Sequence, residues 1–151
     1  MHRVVGVSDK TLAVDAWESL FRAQVSVLRQ LNVEFPSAEL SFNEYDVLFN
    51  LSTQPGRRLR IRDLNRFLLL TQPSVSRLVD RLVQGGLVTK ENDPADGRGT
   101  IVTLTDEGYT LYRRVAAVHA KSISNRVGGA LDAEEMRQLI VLTDKLRRAG
   151  E

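Results

Sequence analysis

The chain has no cysteine, two histidines, four prolines and a single tryptophan among its 151 residues. Without cysteine there is no thiol catalysis, no disulfide framework and no Cys-based zinc site. Long apolar runs are also missing. The longest, such as Phe67–Leu70, is four residues, and Met1 leads into a mixed stretch rather than a basic start and an apolar core. No membrane span and no secretory signal are therefore expected, and a cytoplasmic location is the default. The Asn50-Leu51-Ser52 sequon accordingly reads as an accident of a helical segment. A chain of this length buries roughly two thirds of its extended surface on folding. One domain over residues 1–151 is thus expected to hold a core without staples.

What is present is arginine, unevenly placed. Net charge is +2, and 17 of the 21 basic residues are Arg. Residues 1–56 carry four basic and seven acidic side chains, residues 57–98 nine and five, and residues 99–151 eight and seven. The excess in the middle third comes from Arg57, Arg58, Arg60, Arg62, Arg66, Arg77, Arg81 and Arg98, with Lys90 the one lysine. Arginine offers a planar donor fork that suits phosphates and guanine edges. A merely solvated basic surface is the plainer explanation.

Periodicity orders the chain. Apolar positions Trp17, Phe21, Val25, Leu28, Leu31 and Phe35 recur at three- and four-residue steps and predict a long amphipathic helix from Val14, ended by Pro36. Ser41 with Glu44 makes a capping box, and Leu40 with Tyr45 a hydrophobic staple, for a second helix stopped at Gln54-Pro55-Gly56. A short extended piece, Leu59–Ile61, precedes a third helix over Asp63–Leu70 with Leu64, Phe67 and Leu68 inward. Thr71 is placed to cap a fourth helix, in which Val75, Leu78, Val79 and Leu82 form the buried stripe and Gly85-Gly86 the stop. Leu87–Glu91 and Thr100–Leu104 are β-branched-rich runs joined by a turn-dense segment and predict a hairpin with a long polar tip. Thr105 caps a fifth helix that Gly128-Gly129 is expected to break. Asp132 with Glu135 opens the last, whose inner face runs through Leu139, Ile140, Thr143 and Leu146.

Helix, short strand, helix, tight turn, helix and hairpin, in that order, describe a winged helix-turn-helix: mostly α with a small β-hairpin. The basic block coincides with it. Opposite the apolar stripe, the fourth helix presents Pro73, Ser76, Arg77, Asp80, Arg81 and Gln84, with Ser74 at its edge. Ser74, Ser76 and Arg77, near the helix start, suit base edges in a major groove, and Arg81 a phosphate or a base. Arg77 and Arg81 engaged in surface pairs with Asp80 is the competing reading. At the hairpin tip Arg98 lies between Gly97 and Gly99, on a thin backbone able to enter a narrow minor groove, with Asp96 placed to pair with an Arg and fix the loop. An ordinary polar turn would have the same composition.

These segments together resemble the MarR-type (multiple antibiotic resistance regulator) winged-helix transcription factors. The carriers are Leu40-Ser41-Phe42-Asn43-Glu44-Tyr45-Asp46-Val47-Leu48, Gln72-Pro73-Ser74-Val75-Ser76-Arg77-Leu78-Val79-Asp80-Arg81-Leu82, Gly86-Leu87-Val88, Asp93-Pro94-Ala95-Asp96-Gly97-Arg98-Gly99 and Leu104-Thr105-Asp106-Glu107-Gly108. The resemblance covers nearly the whole chain. It implies a single domain over 1–151, with an N-terminal dimerisation helix over 12–36, the winged helix-turn-helix over 41–104 and C-terminal dimerisation helices over 105–148.

It further implies a homodimeric repressor on a pseudo-palindromic site in double-stranded DNA. Gln72, Ser74, Ser76, Arg77 and Arg81 would lie on the recognition helix, and Asp96 and Arg98 in the wing. Members often respond to small anionic aromatic ligands, for which Trp17 and His119 are the candidates here, a lone histidine on a mostly apolar helix being more often structural. Two departures stand out: Arg62 occupies the position expected to cap the third helix, and Gly97 stands where many members carry a second wing arginine. Dimerisation has separate support in apolar stripes outside the winged module, with Trp17, Phe21, Leu139 and Leu146 as candidate contacts, packing within one subunit being the alternative for each.

The rival readings differ in class. An enzyme lacks its usual signs here: there is no phosphate-cradling glycine loop, nucleophile elbow or paired-His metal motif, so no catalytic residue, metal or cofactor is expected. The other alternative is a winged-helix module that binds protein, or nucleic acid without sequence choice.

Overall fold

The computed structural model describes residues 7–68 and 72–151. Six helices and three strands follow in the order α1 Val7–Glu34, α2 Phe42–Ser52, β1 Arg58–Arg60, α3 Ile61–Phe67, α4 Gln72–Gln84, β2 Val88–Asn92, β3 Thr100–Leu104, α5 Asp106–Ala130 and α6 Ala133–Arg148. Helix α1 begins at Val7, well before Val14, because its first turns, Val7–Ala13, are mostly polar and carry no apolar period that would announce them. The capping boxes form as read. Ser41 Oγ accepts from Glu44 N–H at 3.1 Å while Glu44 Oε1 accepts from Ser41 N–H at 3.0 Å. Asp132 and Glu135 do the same for α6.

Three expectations are corrected. Helix α3 starts at Ile61, with Arg60 as an N-cap that makes no side-chain bond, so Arg62 is a helical residue and not a cap. It ends at Phe67, where Leu68 turns extended. Leu64 and Leu68 are buried, but Phe67 is 54% exposed. Helix α5 runs straight through Gly128 and Gly129 to Ala130. Each glycine costs about 1 kcal/mol in a helix interior, too little to stop a helix already several turns long. The expected cap Thr71 lies outside the described residues.

The hairpin is part of a three-stranded antiparallel sheet in the order β1-β3-β2. Arg58 pairs with Thr103 on one edge of β3, and Val88 with Leu104 on the other. No helix among the described residues is long and apolar enough to cross a membrane.

The fold divides into two compact units, Phe35–Lys121 and Met1–Glu34 with Ser122–Glu151. The first holds a continuous aliphatic core in which Val47, Leu48, Leu51, Leu64, Val75, Val79, Leu82, Val102 and Val115 are fully buried. A fully buried Val or Leu contributes about 1.5–3 kcal/mol, so the stripe Val75, Leu78, Val79 and Leu82 alone seats α4. The second unit is different. In α6 no residue is buried, and in α1 the buried apolar residue is Leu31. Arg126 Nε donates to Glu34 Oε1 at 3.0 Å within this unit, joining the ends of α1 and α5.

Where α4 leaves for the wing the backbone closes tightly. Gly86 adopts φ +73°, Leu87 N–H donates to Leu82 O and Gly86 N–H to Val83 O, both at 3.0 Å, which is a Schellman ending. Thr105 then bridges back. Its hydroxyl donates to Gly86 O at 2.7 Å and accepts from Gly108 N–H at 3.0 Å, and its own N–H donates to Leu87 O at 3.1 Å. A β-carbon at Gly108 would fall 2.0 Å from Leu87 O. Gly108→Ala is therefore expected to destabilise the protein by about 2–3 kcal/mol, read in thermal melts as a fall of roughly 5–10 °C.

Candidate nucleic-acid interface

The inward stripe of α4 dictates what points out. Ser76, Arg77, Asp80, Arg81 and Gln84 are exposed and Ser74 half-buried, while Gln72 opens the helix. Asn43 of α2, Ser74, Arg77, Asp80 and Arg81 line one depression of about 520 Å³. Asn43 is a member of this face that sequence reasoning misses. Its signal was an exposed polar side chain in the first turn of α2.

The charges on this face are not mutually cancelled. Asp80 Oδ1 lies 2.6 Å from Lys90 Nζ, which ties α4 to β2. Arg77 Nη2 reaches Ser74 Oγ at a long 3.4 Å. Neither Arg77 nor Arg81 has a carboxylate partner among the described residues, so pairing with Asp80 does not consume them. Exposed pairs of the Asp80–Lys90 kind contribute about 0.2–1 kcal/mol. Their effect here is placement, holding a lysine against the one acid of the face.

The wing is organised by Asp93, which is buried. Asp93 Oδ1 accepts from Ala95 N–H at 2.9 Å, and Asp93 N–H donates to Gly99 O at 2.9 Å. Asp93 Oδ2 sits 2.6 Å from Arg60 Nε, an ion pair whose angle departs from that of a hydrogen bond. Above this base, Asp96 Oδ1 accepts from the backbone N–H of Arg98 at 3.1 Å, and Gly99 N–H donates to Asp96 O at 2.8 Å. Asp96 thus fixes the loop through the backbone, and the arginine paired in the wing is Arg60, held by Asp93. The Arg60–Asp93 pair spans 33 positions and was missed, since nothing local in the sequence announces it. Arg98 is left exposed at the tip.

Other members of the arginine block are already engaged. Arg57, at φ 53°, lays its guanidinium 3.6 Å from the Tyr109 ring centroid and 3.8 Å from Asp106 Oδ1. Arg66 pairs with Asp63 at 3.6 Å.

The two ligand candidates sit in different units. Trp17, 59% exposed, lies beside Phe21 with ring centroids 6.0 Å apart. His119 is 7% exposed, edge-on to Phe35, Phe42 and Tyr45 at 5.2–5.6 Å, and its Nδ1 is buried without a hydrogen-bond partner. Burial pushes the His119 pKa below its ordinary 6.5. Burial and the neighbouring Tyr112 hydroxyl push the Tyr45 phenol up to about 12. The dimer candidates Trp17, Phe21, Leu139 and Leu146 are all exposed. No group of three or more potential metal ligands occurs among the described residues.

A helix-turn-helix with a winged hairpin defines a DNA-binding class, and comparison with known proteins gives the family. Residues 38–99 match the MarR family. The HTH-type transcriptional regulator YkoM of Bacillus subtilis, itself uncharacterized, is 34% identical over 116 residues, 76% of this chain and 71% of that protein. Sco3205 of Streptomyces coelicolor, a MarR family transcriptional regulator solved in complex with DNA, superposes with a TM-score of 0.76 at 27% identity, covering 98% of this chain and 91% of that one. BpsR of Bordetella bronchiseptica, whose DNA binding is regulated by 6-hydroxynicotinic acid, superposes at 0.75 with 25% identity, over 88% and 98%. The chain belongs to the MarR family: it is a DNA-binding transcriptional regulator and not an enzyme.

The buried imidazole makes stability pH-dependent. The unfolded chain binds a proton at His119 near pH 6.5 while the folded chain resists it, so stability is complete above that pH and declines as pH falls below it. Melts at pH 7.5, 6.5 and 5.5 are expected to show this decline, and His119→Phe to flatten it.

Proposed function

We propose that the protein is a homodimeric repressor of a pseudo-palindromic promoter site in double-stranded DNA, released by a small anionic aromatic ligand. The observation that carries the reading is the outward face of α4, where Lys90 occupies Asp80 and leaves Arg77 and Arg81 available. Ser74, Ser76 and Arg77 meet base edges in the major groove, with Gln72 at the helix start and Arg81 a turn further on. Arg98 enters the adjacent minor groove on the loop that Asp96 holds.

The dimer rests on α1 and α6. Trp17, Phe21, Leu139 and Leu146 stay exposed in one chain, together with the rest of Leu139–Leu142. Apolar surface of this extent on three-turn and longer helices marks an interface, and twofold pairing sets two recognition helices about one turn of DNA apart. The ligand reading is supported by the named response of BpsR to 6-hydroxynicotinic acid, with Trp17 and His119 as the residues assigned to it.

Selection of bound sites from random DNA, repeated with a panel of aromatic acids, tests the whole reading. Paired half-sites one turn apart, weakened by an acid, are expected; enrichment without a motif would instead indicate binding without sequence choice. Arg77→Ala is expected to relax base preference by about 1–3 kcal/mol, and Arg98→Ala to weaken binding chiefly at A·T-rich flanks. Light scattering at micromolar concentration is expected to give a dimer, and a folded monomer would refute that part.

A further inference from the structure

We infer that Arg62 is a second DNA contact of the wing, a phosphate clamp beside Arg98 that stands in for the side chain Gly97 lacks; this rests on the DNA-binding reading above. Arg62 and Arg98 line one small cleft of about 190 Å³ with Asp96, Thr100 and the paired Arg60 and Asp93. Arg62 and Arg98 are both exposed. Among the described residues neither has a carboxylate partner, whereas Arg57, Arg60 and Arg66 in the same stretch are paired with Asp106, Asp93 and Asp63. The two acids of the cleft are both engaged, Asp93 by Arg60 and Asp96 through Oδ1 by the backbone N–H of Arg98. Three arginines against two carboxylates leave the cleft with one unbalanced positive charge.

The chemistry that fits is a phosphodiester. An arginine that enters a minor groove passes between the phosphates forming its walls, and a second guanidinium at the base of the same loop meets one of them. A phosphate contact adds affinity and register without reading sequence. A β-carbon at Gly97 would meet nothing within 4 Å, so the tip is open where a second wing arginine is missing. Arg62 reaches the cleft because α3 starts at Ile61, which makes Arg62 its second residue.

The test is the salt dependence of binding of the full chain to its selected duplex. Each phosphate neutralised contributes about 0.9 to the slope of log K against log salt. Arg62→Gln is expected to lower that slope by about 0.9 and leave the ranking of duplexes with altered bases unchanged, while Arg58→Gln, exposed and outside the cleft, leaves the slope intact. An unchanged slope in Arg62→Gln, with Arg77→Ala still relaxing base preference, overturns the clamp and leaves the DNA reading standing. A changed base ranking in Arg62→Gln also overturns it, in favour of base contact. If Arg62→Gln, Arg77→Ala and Arg98→Ala all bind as the wild type does, the clamp and the reading beneath it both fail.

Discussion

The winged unit depends on a close approach of backbones at Leu87. Its carbonyl takes a hydrogen bond from Thr105 N–H and leaves no room for a side chain at Gly108, while the Thr105 hydroxyl holds Gly86 O on the other side. Four elements meet at that point: the end of α4, the start of β2, the end of β3 and the first turn of α5. The direction in which α4 emerges and the plane of the wing are both set there. Hydrogen bonds of this kind are worth about 0.5–1.5 kcal/mol each. Their importance lies in direction, since the aliphatic core supplies most of the energy but hydrophobic burial is itself non-directional.

Charge is then distributed on this frame by selective neutralisation. Much of the arginine block does structural work, with Arg57 stacked on Tyr109 and Arg60 held at the buried Asp93. A solvated basic surface would leave all of them loose. Instead Arg77 and Arg81 stay uncompensated on the outer face of α4 and Arg62 and Arg98 around the wing cleft, with Arg58 exposed outside both.

What could be read in the sequence was what is encoded within a few residues. Ser41 with Glu44 and Asp132 with Glu135 are local hydrogen-bond pairs, so their positions fixed two helix starts. The inward stripe Val75, Leu78, Val79 and Leu82 followed from the helical period and is buried as read. The misses were long-range or cooperative. Arg60–Asp93 joins distant positions, Gly128-Gly129 are carried by the helix on either side, and Phe67 sits on a helix too short for its period to determine a face. The wing tip was half legible: Asp96 orders it, but through a backbone N–H and not through a guanidinium.

The seating of α4 separates two tasks that many recognition elements merge. Its position is set by four aliphatic side chains on one side and by Asp80 at its flank. Ser76, Arg77, Arg81 and Gln84 are exposed, and among the described residues their side chains form no hydrogen bond or ion pair with another element. They are free to change without disturbing the core, so under the proposed function the helix is an exchangeable reading head. A library varied at these positions, with Asp80 and Lys90 kept, would sample new binding sites at little cost in folding.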